Sequence, residues 1–572
     1  MTRRASLLLL LLLGCQLRQP EKAGPVPPSW PYPLDATAAS AAHTMVVSDS
    51  GAASHVGATT LAAGGNAVDA AVATAFALAV ALPEAGNLGG GGFAVVRSAE
   101  GQSFALDFRE TAPGGASRDM YLDAAGKPTP ESVNGPRASG VPGSVAGLYA
   151  LHQRLGRKPW RSLVEPAIEL AEDGFVVDER LANGIRAAMP RLARSPASAA
   201  VFLPGGAPPV VGSTFRQPEL ARTLRRIAER GAAGFYYGET ADLIATDMRK
   251  LGGLITAADL AAYQARWRAP LDIPYRGHHL VAMPLPSSGG IVVGQIAKIL
   301  EAWDLRQLGW HSVDHLTLVA EAEQRAFADR NALLGDPDFT PARPQLLDDS
   351  YLEERRGTMD PFHATPSTDV RPGLAEGNDT THLGVVDADG SAVALTTTLN
   401  ELYGSGVTIA GVGILMNDEM DDFAARPGTP NLYGLVQGEA NRIEPGKRPL
   451  SSMSPILVID GAGADGRVLA VIGARGGGRI ISATFQVLSN IVDFGMGAAA
   501  AVSAPRIHHQ HQPDLLFYEP DGLGAAALEG LEGRGFHLQR LGVIASAPAI
   551  VRVSARWTGF ADPRRGGGAE GN

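Results

Sequence analysis

The order of apolar and polar residues divides the chain into segments of different character. Residues 56–82 are rich in alanine and predict helix, broken at Gly64-Gly65-Asn66, a sequence that suits the end of one helix and the start of another. Residues 104–109 alternate apolar and polar side chains and predict a strand. From Gly143 to about Leu333 the pattern is mostly helical, and after Thr380 it becomes rich in strands. Strands flanked by blocks of helices predict a layered α/β architecture.

A β-hairpin is predicted where a loop-like run of Gly, Asn and Asp gives way to two strand-like segments. The segments are joined by the turn sequence Asp387-Ala388-Asp389-Gly390. The turn favours a register in which Thr380 lies opposite Thr397 and one residue from Thr398. A register predicted in this way is accurate to within one residue. The hairpin therefore begins with Thr380, close to a second threonine hydroxyl.

A threonine at this position has a chemical use as well as a structural one. Its hydroxyl is a poor nucleophile unless a base accepts the proton. If the bond between Asp379 and Thr380 is broken, Thr380 gains a free α-amino group with a pKa of about 7.7 to 8.0, which is a suitable base near neutral pH. Nucleophile and base then lie in one residue. The alternative is a threonine-rich strand with no catalytic role, because threonine favours strands.

Length and charge exclude some classes of protein. The chain has 572 residues, of which 45% are hydrophobic, and this predicts two lobes or one large multilayer domain. Lys and Arg together number 49 against 59 Asp and Glu, giving a net charge of −10. No basic block follows the N-terminus, so the sequence argues against nucleic acid as a partner.

The N-terminus predicts export. Positive charge at Arg3 and Arg4 precedes the apolar run 7–13, which is too short to span a bilayer but typical of a signal peptide. The run leads to Cys15, the single cysteine of the chain, in a context that resembles a bacterial lipobox. We expect a signal peptide ending at Cys15, lipid on that cysteine and a polar tether over 16–35. The protein would then be periplasmic or anchored in the outer membrane, touching the membrane only through its lipid. The alternative is an ordinary secretory signal.

Motifs along most of the chain resemble the γ-glutamyltranspeptidase family. They are GGNAVDAA at 64–71, GNLGGGGF at 86–93, DFRE at 107–110, GVPG at 140–143, TTH at 380–382, TLN at 398–400, NDEMDDF at 417–423, NLYGL at 431–435, KRPLSSMSP at 447–455, the glycine pair 476–477 and DPRR at 562–565. The resemblance implies an N-terminal nucleophile hydrolase with a four-layer αββα sandwich. Such a precursor cuts itself into two subunits, here residues 36–379 and 380–572.

The resemblance also implies the catalytic residues. Thr380 is the expected nucleophile, freed by cleavage between Asp379 and Thr380, and Thr398 is expected to hydrogen-bond it. Residues 468–472 predict a strand and 479–492 a helix, and the glycine-rich loop between them suits an oxyanion hole made by the amides of Gly476 and Gly477. The alternative is a nucleotide-binding loop, which should be followed by Lys and then Ser or Thr, and these residues are missing here.

The glycine loop departs in part from the family pattern. Many bacterial members have Ser-Pro-Gly-Gly-Ser where this chain has Ala474, Arg475 and Gly478 around the glycine pair. Gly384 likewise replaces a commoner serine.

The expected donor is an amino acid acylated through its side-chain carboxyl. The resemblance assigns Arg109 to the donor's α-carboxylate, and a guanidinium can bind a carboxylate with two hydrogen bonds. The other expected contacts are Ser451 and Ser452 to the same carboxylate, Asn400, Glu419 and Asp422 to the α-ammonium, and Tyr433 as the gating aromatic of a lid loop over 426–440. The alternatives are an ion pair of Arg109 with Asp107 or Glu110, and an acidic run that is merely solvated surface.

The segment His508-His509-Gln510-His511 is a rival candidate for a metal site. It has no accompanying cysteine and no HExxH helix, and neighbouring histidines on a strand point to opposite faces. We therefore predict no metal and no cofactor.

The predicted activity is that of a γ-glutamyltransferase and glutathione hydrolase. The acyl group would pass from glutathione or another γ-glutamyl compound to water, an amino acid or a peptide. One alternative is an acylase of the same fold, acting on poly-γ-glutamate or a glutaryl-β-lactam. Another is a non-catalytic binding lipoprotein.

Overall fold

The computed structural model describes residues 26–341, 343–370, 379–426 and 438–572. The strands within these ranges are β1 (Ala39–Ala41), β2 (Met45–Ser48), β3 (Gly91–Arg97), β4 (Ser103–Phe108), β5 (Phe175–Val176), β6 (Thr214–Phe215), β7 (Arg266–Arg268), β8 (Leu271–Tyr275), β9 (His278–Ala282), β10 (Asp379–Val386), β11 (Ala392–Asn400), β12 (Ile456–Asp460), β13 (Arg467–Ile472), β14 (Ile507–His508), β15 (Leu516–Tyr518), β16 (Leu538–Arg540), β17 (Ala549–Val553), β18 (Arg556–Phe560) and β19 (Gly568–Glu570).

The helices surround these strands. They are α1 (Gly51–Ala62), α2 (Ala67–Ala81), α3 (Ser144–Leu155), α4 (Trp160–Glu172), α5 (Glu179–Leu192), α6 (Pro196–Phe202), α7 (Pro218–Arg230), α8 (Ala233–Tyr236), α9 (Glu239–Leu251), α10 (Ala257–Ala262), α11 (Gly289–Leu300), α12 (Leu305–Leu308), α13 (Val313–Leu333), α14 (Asp349–Gly357), α15 (Arg479–Val492), α16 (Ala498–Ser503) and α17 (Ala525–Gly533). Among the described residues, none of these helices has the length and apolar character needed to cross a membrane.

Two seven-stranded antiparallel sheets form the centre of the molecule. The first sheet has the order β1-β18-β17-β13-β12-β9-β8, and the second has the order β19-β2-β10-β11-β3-β4-β7. Each sheet combines strands from before and after Thr380. The strands β10 and β11, which form the predicted hairpin, therefore lie in the middle of a sheet whose other strands come mostly from the first part of the chain.

Alternating side chains of the second sheet fill two different hydrophobic clusters. On β10, Leu383 and Val385 pack into the cluster that contains α2, whereas Val386 packs into the cluster between the two sheets. Helices α11, α13 and α15, on the far side of the first sheet, also contribute side chains to the cluster that contains Val386. The order of layers is helix, sheet, sheet, helix, which confirms the predicted fold class.

Local sequence explains where the main helices begin. The side chain of Asn66 accepts a hydrogen bond from Asp69 N at 2.9 Å, and the Asp69 carboxylate accepts one from Asn66 N at 3.0 Å, a capping box that starts α2 after the predicted break. Ser312 caps α13 by accepting from His315 N at 3.1 Å. The prediction that 143–333 is mostly helical is confirmed by α3 to α13, but the short strands β5 to β9 also lie within this range.

Candidate active site

The hairpin brings two threonine hydroxyls together. Thr380 pairs with Thr398, and their Oγ1 atoms lie 3.4 Å apart. The predicted pairing with Thr397 is wrong by one residue because the turn is longer than expected: Asp387 Oδ1 accepts hydrogen bonds from Asp389 N at 3.0 Å and Ser391 N at 2.8 Å. Both threonines are almost fully buried.

Asn87 supports this pair from the neighbouring loop and had not been predicted as a site residue. Its Nδ2 atom donates to Thr398 O at 2.8 Å, and its Oδ1 atom accepts from Ser144 Oγ at 2.6 Å. Thr398 Oγ1 also accepts from Asn400 N at 2.8 Å, where the backbone of Asn400 adopts a φ of 76°. Thr398 is thus held at its carbonyl by Asn87 and at its hydroxyl by the backbone of Asn400.

The side of β10 that carries Thr380 faces the first sheet. His382 and Gly384 lie on the same face, and a Cβ atom at Gly384 would come 3.1 Å from Val471 of β13. A Cβ atom at Gly473 would lie 2.3 Å from Cε1 of His382, so only glycine fits there. Burial lowers the pKa of His382 to about 3, and the ring therefore packs as a neutral group.

The glycine loop begins at that contact. It connects β13 to α15, which correspond to the strand and the helix predicted from the sequence. Gly476 has a φ of 135° and Gly477 a φ of 62°, a region that favours glycine. A Cβ atom at Gly476 would come 2.8 Å from the Cα atom of Ala545. The glycine loop therefore lies at the end of the first sheet that is nearest to the Thr380 end of β10.

Arg109 contacts the acidic residues expected beside it. Its Nη1 atom hydrogen-bonds Glu419 Oε1 and its Nη2 atom hydrogen-bonds Asp422 Oδ2. Nε also donates to Pro449 O at 3.3 Å and Nη2 to Leu450 O at 3.4 Å. One cation and two carboxylates thus lie together, next to the segment that leads into Ser451 and Ser452.

The alternative ion pairs of Arg109 are secondary. Glu110 Oε2 lies 3.7 Å from Arg109 Nη1, and Asp107 contacts Arg109 only through the backbone N at 3.0 Å. The Asp107 carboxylate pairs instead with Arg268 at 2.8 Å and Arg448 at 3.3 Å. The guanidinium of Arg109 is therefore directed to Glu419 and Asp422.

Ser451 and Ser452 follow Leu450, and they are held by Ser288 and by a different arginine, Arg330. Ser452 Oγ accepts from Arg330 Nη2 at 3.2 Å, and Ser288 Oγ donates at 2.7 Å to Ser451 O. Arg330 Nε also donates to Ser288 Oγ at 2.8 Å. These contacts fix the segment beside Arg109.

The acidic run is buried, so its interpretation as solvated surface is wrong. Burial raises the pKa of Asp421 to about 7, against a hydrogen bond from Ser132, and it raises the pKa of Glu419 well above its usual range despite Arg109. Asn400 Nδ2 donates to Asp418 O at 3.0 Å and so connects the run to the hairpin. Such a concentration of buried carboxyl groups beside one arginine suits a ligand that carries a positive charge.

The histidine segment holds the chain that leads to the predicted cleavage site. His511 Nε2 contacts Val370 O at 2.7 Å and Ser367 O at 3.0 Å, and Ser367 Oγ donates to Asp514 Oδ1 at 2.8 Å. His508 Nδ1 contacts Ser482 Oγ at 2.8 Å. Within the described ranges, no group of His, Cys, Asp and Glu is arranged to hold a metal ion.

Several predicted residues lie outside the described residues. They are Cys15, Tyr433 and the side chain of Asp379, although the backbone of Asp379 pairs with Asn400 in the strand. The structure also has a buried group of charges that the sequence had not suggested. Arg475 of the glycine loop reaches Glu84, and Asp49 lies beside it.

Known proteins are similar to this chain over most of its length. The family described as Gamma-glutamyltranspeptidase matches residues 53–572. The Glutathione hydrolase proenzyme of Escherichia coli (strain K12) is 46% identical over 527 residues, which cover 91% of this chain and 90% of that protein. The cephalosporin acylase structure from Bacillus halodurans has a TM-score of 0.82 at 28% identity and covers 95% of this chain and 98% of its own. The Helicobacter pylori gamma-Glutamyltranspeptidase structure has a TM-score of 0.57 at 42% identity, covering 59% of this chain and 97% of its own. On the family match and the identity to the curated relative, the chain belongs to the γ-glutamyltranspeptidase family.

Proposed function

We propose that this chain is a self-processing γ-glutamyltransferase and glutathione hydrolase. The observation that carries the proposal is the contact of Arg109 with Glu419 and Asp422. An α-carboxylate requires a cation and an α-ammonium requires carboxylates, and a γ-glutamyl donor carries both groups on one carbon atom. The donor would separate the pair, its carboxylate binding Arg109 with Ser451 and Ser452, and its ammonium binding Glu419, Asp422 and Asn400.

The reaction follows from the position of Thr380. Its Oγ attacks the γ-carbonyl carbon, while its own α-amino group accepts the hydroxyl proton. The negative charge on the carbonyl oxygen is stabilised by the amides of Gly476 and Gly477. When the C–N bond breaks, the leaving amine receives the proton and the γ-glutamyl group remains as an ester on Thr380. Water or an acceptor amine then attacks this ester and releases Thr380.

Self-cleavage creates the α-amino group. In the precursor the Thr380 hydroxyl, hydrogen-bonded to Thr398, attacks the carbonyl carbon of Asp379, and the bond from that carbon to the Thr380 nitrogen breaks as the nitrogen takes up the hydroxyl proton. Water then hydrolyses the resulting ester, which releases the Asp379 carboxylate and leaves Thr380 with a free hydroxyl and a free α-amino group. The cut separates a large subunit, 36–379, from a small subunit, 380–572, and the two stay together as a heterodimer. Tyr433, in the lid loop, would cover the bound donor.

The N-terminal segment sets the proposed location. The signal peptide 1–15 directs export, Cys15 receives lipid, and 16–35 tethers the catalytic part at the membrane surface. Substrates would then be glutathione and other γ-glutamyl compounds outside the cytoplasm, with amino acids, peptides or water as acceptors.

A denaturing gel with N-terminal sequencing of the smaller band tests the assignment of the nucleophile. We expect a small fragment that begins at Thr380 and is absent in Thr380→Ala. Thr558→Ala, in a strand of the first sheet, is the matched control and should be cut normally. A fragment that begins elsewhere would contradict the proposal.

A pair of anilide donors separates the two related activities. γ-Glutamyl anilide carries the α-ammonium, and glutaryl anilide lacks it but keeps the carboxylate. Because the carboxyl groups around Glu419 are buried and suit a cation, we expect the γ-glutamyl donor to be preferred. Preference for the glutaryl donor would make the chain an acylase instead.

A further inference from the structure

Arg475 precedes Gly476 and Gly477 in the glycine loop, yet its side chain leaves the loop for two buried carboxylates. Its Nη1 atom lies 3.2 Å from Glu84 Oε1 and 3.7 Å from Asp49 Oδ2. The side chain is 1% exposed. Burying a guanidinium requires compensation by nearby charges, and these two carboxylates supply it.

Asp49 also contacts β10, the strand that carries the proposed nucleophile. Thr381 Oγ1 donates to Asp49 Oδ2 at 2.9 Å, and Thr381 directly follows Thr380. One carboxylate therefore lies between the start of β10 and the side chain that extends from the glycine loop. Burial raises the pKa of Asp49, while the positive charges of Arg475 and Arg180 act in the opposite direction.

Glu84 is the second anchor, and it is itself fixed. Arg180 Nη2 donates to Glu84 Oε1 at 2.8 Å, and Arg180 Nη1 donates to Asp49 O at 2.6 Å. Burial acts to raise the pKa of Glu84, but the charges of Arg475 and Arg180 overcome it and hold the pKa below its usual value. Glu84 therefore stays ionised and attracts Arg475.

The glycine loop needs such an anchor. Two successive glycines have more backbone freedom than any other pair, so their amides point in a fixed direction only if the flanking residues are held. Arg475 is held by its backbone as well, because its N and O atoms pair with Ser546 at 2.8 Å each. The residue immediately before the two amides is thus bound through both its backbone and its side chain.

We propose that Arg475 is a positioning residue that holds the amides of Gly476 and Gly477 in register with Thr380 through its contacts with Asp49 and Glu84. The inference rests on the proposed function, since it takes these amides as the oxyanion donors. Asp49 and Glu84 belong to the proposed large subunit and Arg475 to the small one. The two subunits together therefore set the geometry of the oxyanion site.

Arg475→Lys and Asp49→Asn test the contact from its two ends. Lysine keeps the charge but loses the forked geometry, and asparagine can still accept from Thr381 but carries no charge. We expect kcat per processed molecule to fall about 10- to 100-fold in Arg475→Lys, because displaced oxyanion donors affect the transition state, and less in Asp49→Asn. KM for the donor should change less than about twofold, because Arg109 and the acidic run are untouched.

The double variant shows whether the two residues act through each other. If they do, Asp49→Asn should change kcat much less in the Arg475→Lys background than in the parent. Arg325→Met is the matched control for the loss of a buried arginine, since Arg325 pairs with Glu321 at 2.8 Å on α13. It should lower the melting temperature and leave kcat per processed molecule unchanged.

The assay uses both anilide donors, so the two proposals can fail separately. Activity of the parent on the glutaryl donor alone contradicts the proposed function, and the effect of Arg475 is then measured on that donor. Parent kcat in both Arg475→Lys and Asp49→Asn would overturn the positioning role. Multiplicative effects in the double variant, or an equal loss of kcat in Arg325→Met, would also overturn it. A parent that hydrolyses neither donor would overturn both proposals.

Discussion

Thr380 Oγ1 lies 3.4 Å from Thr398 Oγ1 because the two residues face each other across the β10–β11 hairpin. The contact depends on backbone pairing along the whole hairpin, and Asn87 holds the Thr398 end through its hydrogen bond to Thr398 O. The hydroxyl that we propose as the nucleophile is therefore oriented before any cleavage takes place.

Replacing Thr398 should slow self-cleavage. Thr398→Ala removes a hydrogen bond worth about 1 kcal/mol, so the precursor should convert roughly fivefold more slowly. Thr398→Ser keeps the hydroxyl and should restore the rate. A time course of precursor and small subunit on denaturing gels measures the effect. Equal rates for the alanine variant and the parent would show that the contact has no role in processing.

Arg109→Lys should separate substrate binding from chemistry. Lysine keeps the charge but cannot make two hydrogen bonds to one carboxylate, so the transition state should lose about 2 to 3 kcal/mol of stabilisation. The value of kcat/KM for γ-glutamyl anilide should therefore fall roughly 30- to 150-fold. Self-cleavage should survive, because the bond between Asp379 and Thr380 offers no α-carboxylate. 4-Aminobutyryl anilide, which lacks that carboxylate, should be a poor donor for both proteins. An uncut Arg109→Lys variant would make Arg109 structural.

Glu323 predicts a pH dependence of stability. Burial raises its pKa from 4.5 to about 8, although His509 N donates to Glu323 Oε2 at 2.8 Å. Because the folded state holds the proton more tightly than the unfolded state, this residue stabilises the fold below pH 4.5, and that stability is lost as the pH rises towards 8.

Glu323→Gln should remove this loss. Between pH 5 and 8 the melting temperature of the parent should fall by about 2 to 4 °C more than that of the variant. Thermal unfolding at a series of pH values measures the difference. Parallel curves for the two proteins would show that Glu323 does not titrate in this range.

Cys15→Ser should release the protein from membranes. The parent should fractionate with membranes and carry a thioether-linked lipid on Cys15, and most of the variant should be soluble after export. Mass spectrometry of the mature N-terminus provides the direct measurement. An unmodified N-terminus downstream of Cys15 in the parent would remove the lipoprotein proposal.

Sequence patterns predict the elements whose signals are local. Helix α13 lies within the stretch from Gly143 to about Leu333 that is predicted to be mostly helical, and Ser312 supplies its cap. The strand, glycine loop and helix around Gly476 are likewise predicted, because each has a distinct composition. Strands β5 to β9 are missed, since they are short and lie between helical segments.

Long-range contacts cannot be predicted in the same way. The turn at Asp387 is one residue longer than assumed, because its carboxylate closes a wider loop, and this changes the partner of Thr380. The charges of Asp49, Glu84 and Arg475 come from three distant segments, and no spacing in the sequence connects them. In the sequence, Arg475 stands out only as a departure from the family pattern.

The mixed origin of the two sheets affects how the enzyme behaves after the proposed cut. Each sheet contains strands from both sides of Thr380, hydrogen-bonded to one another, so neither fragment has a complete hydrophobic core of its own. Once the chain is cut, the two halves no longer share a covalent connection that keeps them at high local concentration. Refolding of the mature enzyme then becomes a bimolecular reaction that slows on dilution, whereas the precursor folds as one chain. The lifetime of the folded, cut enzyme would therefore be set by its unfolding rate.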